Sequence, residues 1–183
     1  MLVSTILGLA LAAVSTYCTG QSVADSSGPL YPNGQRVVDG FGKEYYPNGT
    51  RLVNDYGDEI RYSNGARVRS ATGELLFPNG TSVKSATGSA RYPNGQATRT
   101  STGACYFETG VEMTPCQRVV AVRDRLPGGE TAFYELDVVA GTIALRTVRY
   151  EFPVGAAVVT VAADLAAGRL DRSSIGAVCP SGR

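Results

Sequence analysis

Eleven glycines recur on a near-constant grid, at positions 34, 42, 49, 57, 65, 73, 80, 88, 95, 103 and 110. Every second one closes a near-copy of a single tetrapeptide. The copies are Tyr31-Pro32-Asn33-Gly34, Tyr46-Pro47-Asn48-Gly49, Tyr62-Ser63-Asn64-Gly65, Phe77-Pro78-Asn79-Gly80 and Tyr92-Pro93-Asn94-Gly95, followed by a worn copy, Phe107-Glu108-Thr109-Gly110. Self-similarity at a period of about 15 residues outranks other fold signals, because it shows one small structural unit being stacked many times. A chain built this way is more often a surface or a spacer than a catalyst.

Each unit contains two chain reversals. In Tyr-Pro-Asn-Gly the proline presets the first turn residue, the asparagine tolerates the next, and the glycine takes positive φ without a Cβ clash. The second reversals are looser: Gly40-Phe41-Gly42, Asp55-Tyr56-Gly57, Ala71-Thr72-Gly73, Ala86-Thr87-Gly88 and Ser101-Thr102-Gly103. Four or five residues separate the turns, the length of a short strand. Proline stays within the turns, where it removes no ladder hydrogen bond. The expected fold is all-β: an antiparallel up-and-down meander of about ten short strands over residues 28–113.

Alternation assigns the two faces. One receives the aromatic strip Tyr31, Tyr46, Tyr62, Phe77, Tyr92 and Phe107, beside Val37, Leu52, Val68, Val83, Thr98 and Met113. The other receives the basic residues, among them Arg36, Arg51, Arg61, Arg67, Arg69, Lys84, Arg91 and Arg99. A ribbon of short strands buries little surface alone. Its apolar face must roll up, pack on the rest of the chain, or meet another molecule.

Beyond residue 116 the periodicity stops. Val-rich segments over 118–125, 131–139, 142–152 and 156–161 read as strands, and 162–167 as a short helix ending at Gly168. This region, 116–183, reads as a small β-rich cap domain that protects the last edge of the ribbon.

The Tyr-Pro-Asn-Gly turns, the short glycine-spaced strands and the alternating basic positions resemble the T-complex-protein-10 C-terminal repeats, the G-box of centriole-assembly proteins. The resemblance covers about residues 28–113. It implies a free-standing antiparallel ribbon, open on both faces, that binds a partner peptide or stacks end to end. A centriolar role is not carried over, because this chain begins like an exported one.

That beginning is the apolar run from Leu2 to Val14, too short for a typical membrane span and suited to a signal segment. Cys18-Thr19-Gly20 fits a small-x-small processing pattern, which places the cut after Gly20, with Ala24 as second choice; 21–27 becomes a linker. Tyr17 is too bulky for a lipid-anchor motif at Cys18. With residues 1–20 removed, no membrane-spanning segment remains. Three cysteines would be left, and an oxidising compartment favours one disulfide. Cys116 with Cys179 would clamp the C-terminal region; Cys105 with Cys116 is the rival pairing.

The chemistry available is limited. The chain has 17 basic and 16 acidic residues and no histidine. Balanced charge gives no general pull toward nucleic acid. Without histidine there is no Ser-His or Cys-His pair, and the remaining carboxylates form no acid–base motif. No cofactor or metal pattern is present; Asp55-Tyr56-Gly57-Asp58-Glu59 lacks the register of a calcium loop. Two binding surfaces are conceivable. The aromatic ladder could stack on sugars, though strand aromatics usually fill a core. The cations Arg61, Arg67, Arg69, Lys84, Arg91 and Arg99 face only Glu74 within residues 60–100 and could engage an acidic polymer. The first units are acidic, so opposite ends of the ribbon could also attract head to tail. Asn48-Gly49-Thr50 and Asn79-Gly80-Thr81 match the N-glycosylation sequon. The expected function is an exported, non-enzymatic interaction or assembly surface. The alternatives are a secreted carbohydrate- or envelope-binding module, or an enzyme housed in the C-terminal region.

Overall fold

A computed structural model describes residues 17–180. Most of the expected signal segment therefore lies outside the described residues. Within them the chain is all-β and antiparallel, and no helix is present.

The first layer is built from the glycine-marked turns. In the six Tyr-Pro-Asn-Gly copies the glycine N–H donates to the aromatic residue's carbonyl at 2.8–3.0 Å, and the aromatic N–H donates to the carbonyl just past the glycine. The eleven grid glycines all sit at φ between 79° and 97°, a conformation that costs other residues about 1–2 kcal/mol. Between turns the chain pairs with its sequence neighbours through isolated antiparallel bridges, from Leu30 with Arg36 and Val38 with Glu44 through to Tyr106 with Glu112. The expected strands of four or five residues do not form. Each turn consumes about half of a seven- or eight-residue interval, leaving only two or three residues extended.

Side chains make up for such short ladders. Asn33, Asn48, Asn64, Asn79 and Asn94 each use Oδ1 to accept the N–H two residues on. Each also uses Nδ2 to donate, at 2.7–2.9 Å, to a carbonyl of the next Tyr-Pro-Asn-Gly turn. The phenols of Tyr31, Tyr46, Tyr62 and Tyr92 donate to carbonyls 14 or 15 residues ahead. The motif thus closes its own turn and ties it to the following one.

The same pattern begins earlier than the tetrapeptide suggests. Gly20 has φ 82° and donates to the Tyr17 carbonyl, the Tyr17 phenol donates to Leu30 O, and Thr19 Oγ1 donates to Pro32 O where asparagine does so elsewhere. Tyr17-Cys18-Thr19-Gly20 is a divergent turn of the ribbon. The short strands β1 (Ala24–Asp25) and β2 (Gly28–Pro29) follow it as a two-residue hairpin.

The second layer is a six-stranded antiparallel sheet. It comprises β3 (Val119–Arg125), β4 (Thr131–Asp137), β5 (Thr142–Ile143), β6 (Val148–Val154), β7 (Ala157–Asp164) and β8 (Arg169–Val178), in the order β3-β4-β6-β7-β8 with β5 paired to β4. Strict alternation places Ala132, Tyr134 and Leu136, then Val148, Tyr150 and Phe152, then Val159, Val161 and Ala163 on the inner face. The expected helix over 162–167 is absent: Ala162–Asp164 continue β7, whose pairing with β6 and β8 outweighs the helical preference of alanine, and a turn follows. The expected strand over 142–152 is two strands. β8 was not expected at all, because its Ser- and Arg-rich stretch shows no alternation; it is a sheet edge with one buried residue, Leu170.

This sheet does not cap the end of the ribbon. It lies along the apolar face, and both layers contribute to one core. The Tyr46 ring meets Tyr150 edge-on at 5.2 Å, and Phe77 packs on Tyr134 at 6.2 Å. Thr98, a hydroxyl among aliphatic neighbours, donates across the layers to Val138 O at 2.8 Å. Glu44 accepts the Leu170 N–H at 2.5 Å and pairs with Arg172 at 3.0 Å. Gly141 is needed where the layers touch: a Cβ there would lie 2.8 Å from Lys84 Cε and 3.1 Å from Ala90 Cβ. The ribbon open on both faces, implied by the resemblance, is thus open on one face only.

Two disulfides close the structure, Cys18–Cys179 and Cys105–Cys116. The expected Cys116–Cys179 pair is not formed, because Cys116 is taken by its near neighbour at the end of the ribbon while Cys179 leaves β8 beside the first turn. Cys18, assigned to the discarded leader, is its partner.

Candidate functional site

The aromatic strip is structural in its placement. Tyr31, Tyr46, Tyr62, Phe77 and Tyr92 are fully buried between the layers, and burial pushes the Tyr46 and Tyr62 phenols well above their ordinary pKa. Of the strip, only Phe107 leaves part of its ring open, at 37% exposure.

The cations divide into two rows. Arg61, Arg67 and Arg91 belong to the outer face of the ribbon, where Arg61 and Arg67 are bridge partners. Arg69, Lys84 and Arg99 are bridge partners of Leu75, Ala90 and Cys105 instead, and stand at the base of the second turns. Arg69 and Arg99 donate to the turn carbonyls of Gly73 and Gly103 at 3.0 Å. The expected single basic face is thus divided between two sets of bridge positions.

Pairing separates these cations further. Arg61 and Arg67 both contact Glu59, at 2.6 and 2.7 Å. Arg51 pairs with Asp55, and Arg36 with Asp25. Among the described residues, Arg69, Lys84, Arg91 and Arg99 make no ion pair. Of the early-unit acids, Glu44 pairs with Arg172, Asp55 with Arg51 and Glu59 with two arginines, whereas Asp39 and Asp58 are held by hydrogen bonds alone. The later units carry exposed, unpaired positive charge. The outer face of the second layer is different. There Arg123 and Arg149 flank Phe133 from adjacent strands, 5.7 and 4.6 Å from the ring centroid, but Glu151 lies 3.7 Å from Arg149.

Two residues not singled out as binding candidates stand furthest into solvent. Phe41 and Tyr56, at the tips of the first two second turns, are 92% and 90% exposed. The equivalent tips of the next three turns are Thr72, Thr87 and Thr102, each hydroxyl hydrogen-bonded to Ser70, Ser85 or Thr100. The signal for Phe41 and Tyr56 was available: aromatics at a turn tip where sister copies carry threonine. A groove of about 720 Å³ opens beside Tyr56, between the ribbon edge and the turns of the second layer, with Ile60, Val68, Leu145 and Leu165 inside it and Arg67 and Arg69 on its wall. The sequon asparagines Asn48 and Asn79 are both committed to inter-turn hydrogen bonds, so a glycan there would disrupt the stacking.

Several polar groups of the second layer are buried beneath the ribbon. Asp124 Oδ2 and the Tyr134 and Tyr150 hydroxyls are buried without partners, and Glu130, 2% exposed, receives one hydrogen bond, from Ser63 at 3.2 Å. Desolvation raises the pKa of Asp124; desolvation and then the nearby Asp124 charge raise that of Glu108. A carboxyl whose folded pKa is raised favours the native state while protonated, and that contribution is lost as pH climbs through the raised value. Asp124→Asn is therefore expected to stabilise the protein at pH 7 by about 1 kcal/mol, a gain of about 2–4 °C in Tm. The gain should vanish as pH falls below the ordinary carboxylate range, which thermal melts at a series of pH values would show.

Comparison with protein-family models, with curated proteins and with solved structures gives no match. Among the described residues no helix is long and apolar enough to cross a membrane.

Proposed function

We propose that this chain is an exported, non-enzymatic binding module whose later units dock an acidic partner. One observation carries the reading: Glu44, Asp55 and Glu59 of the early units are ion-paired within the molecule, whereas Arg69, Lys84, Arg91 and Arg99 make no ion pair among the described residues. An outside anion supplies what the fold does not. The likeness of the turn units to the T-complex-protein-10 C-terminal repeats agrees with a ribbon that presents a binding surface.

Export is supported by the apolar run Leu2 to Val14 and by two disulfides, which persist in oxidising compartments. Because Tyr17–Gly20 form a turn of the ribbon and Cys18 is bonded to Cys179, processing falls on the N-terminal side of Tyr17. The non-enzymatic reading rests on the absence of histidine and of any nucleophile–base motif.

The test is retention on immobilised polyglutamate and polygalacturonate at low and high salt. The wild type should be retained and released by salt, since screening shortens the reach of exposed charges. Reversing Lys84, Arg91 and Arg99 to glutamate together should weaken binding by about a hundredfold at low ionic strength without loss of fold. Salt-independent retention, or none on either polymer, would refute the reading.

A further inference from the structure

We propose that the second-turn edge of the ribbon is a track for a linear acidic polysaccharide, with sugar rings seated on Phe41 and Tyr56 and carboxylates held by Arg69, Lys84 and Arg99. This deepens the acidic-partner reading and rests on it.

The edge changes composition once along its length. In the first two turns an exposed aromatic tip stands over an aliphatic base, Phe41 over Val38 and Tyr56 over Val53. In the next three a threonine tip stands over a cation: Thr72 over Arg69, Thr87 over Lys84, Thr102 over Arg99. Successive second turns are separated by two rungs, about 10 Å at the usual spacing of paired strands. That is the length of one extended disaccharide, so a straight glycan laid along the edge would meet equivalent positions at successive disaccharides.

Each group suits that ligand. The flat faces of Phe41 and Tyr56 gain nothing for the fold by standing in water, and exposed aromatic surface of this kind marks a contact site. The axial C–H bonds of a pyranose pack on such faces. Threonine and serine hydroxyls at the remaining tips can donate to or accept from sugar hydroxyls. The three cations make no ion pair among the described residues, and their spacing of about 10 Å matches every second carboxylate of a polyuronate. The groove beside Tyr56 lies where the aromatic stretch passes into the cationic one; Arg67 and Arg69 wall it together with Asp58 and with Glu59, which is paired to Arg61 and Arg67, and its apolar residues Ile60 and Leu165 can accept a ring. An acidic polypeptide would satisfy the cations alone and leave the two rings unused.

The experiment compares oligogalacturonate with polyglutamate of equal length, by calorimetry, on the wild type and on Phe41→Ser/Tyr56→Ser. Both side chains are exposed, so the thermal midpoint should be unchanged. The wild type should prefer the glycan by about tenfold, the size of one or two good ring contacts, and the double variant should lose that preference while its polyglutamate affinity stays the same. Equal binding of the two polymers by the wild type, or a preference that survives the double substitution, overturns this inference and leaves the acidic-partner reading standing. Failure of both polymers to bind overturns both.

Discussion

A Cys18→Ala/Cys179→Ala double variant is expected to lose about 3–5 kcal/mol of stability, more than any single change at the surface could produce. The bond spans 161 residues, so in the unfolded chain it closes nearly the whole length of the described structure. In the chain-entropy model such a loop is worth about 5 kcal/mol, against about 3 kcal/mol for the 11-residue span of Cys105–Cys116. The physical setting points the same way. Cys18 sits in the first turn of the ribbon and Cys179 follows the edge strand β8, so this bond fastens the outer ends of both layers. Cys105–Cys116 only tightens the last hairpin. Denaturant titration of the two double-alanine variants should rank them in that order. N-terminal sequencing of the exported wild type should find Tyr17 retained. A mature form starting after Gly20 would lack the long bond and should behave like the Cys18→Ala variant. A smaller effect at Cys18–Cys179 than at Cys105–Cys116 would show that the denatured state is already held compact near its ends.

Tyr46→Ala is expected to cost about 3–5 kcal/mol, the range for deleting a buried aromatic ring. Tyr46 is completely buried, and its ring lies 5.2 Å from Tyr150 and 6.5 Å from Phe152. The cavity would open between the layers, where neither can close it without breaking inter-turn hydrogen bonds. Tyr46→Phe isolates the hydroxyl. It keeps the ring but leaves the Arg61 carbonyl without its 3.0 Å donor, at a cost of about 1 kcal/mol. Phe77 shows that the ribbon tolerates one unit lacking this bond. If the alanine and phenylalanine variants melt at the same temperature, the ring contributes little and the two layers are not cooperatively packed.

How much of this could be read beforehand differs between the two layers. Glycine spacing, Pro-Asn in the turns and two-residue alternation predicted the reversals and the inward set of Tyr31, Val37, Tyr46, Leu52, Tyr62 and Val68, and these residues are buried. Local chemistry suffices there, because each turn is decided within four residues. The divergent turn at Tyr17–Gly20 was hidden because cysteine and threonine replace proline and asparagine directly after an apolar run. Thr19 performs the asparagine's inter-turn bond with a hydroxyl, an equivalence visible only in three dimensions. β8 was hidden for another reason: an edge strand with one buried residue has no hydrophobic period to display.

The proposed binding edge was legible only in part. Residues 60–100 showed an excess of positive charge, but not that Glu59 consumes two of the arginines, nor that the rest divide between the outer face and the second-turn base. Phe41 and Tyr56 were in plain view, yet alternation assigns faces to strand residues and is silent about turn tips.

From the order of its residues alone, the chain was bound to reverse direction every seven or eight positions and to gather its aromatics on one side, since glycine φ and side-chain alternation are properties of neighbours. Which surface those aromatics would meet, which cysteines would join, and which cations would be left without partners were settled only when the second sheet lay down along the ribbon. Those outcomes depend on groups dozens of residues apart, and only the folded packing brings them within reach of one another.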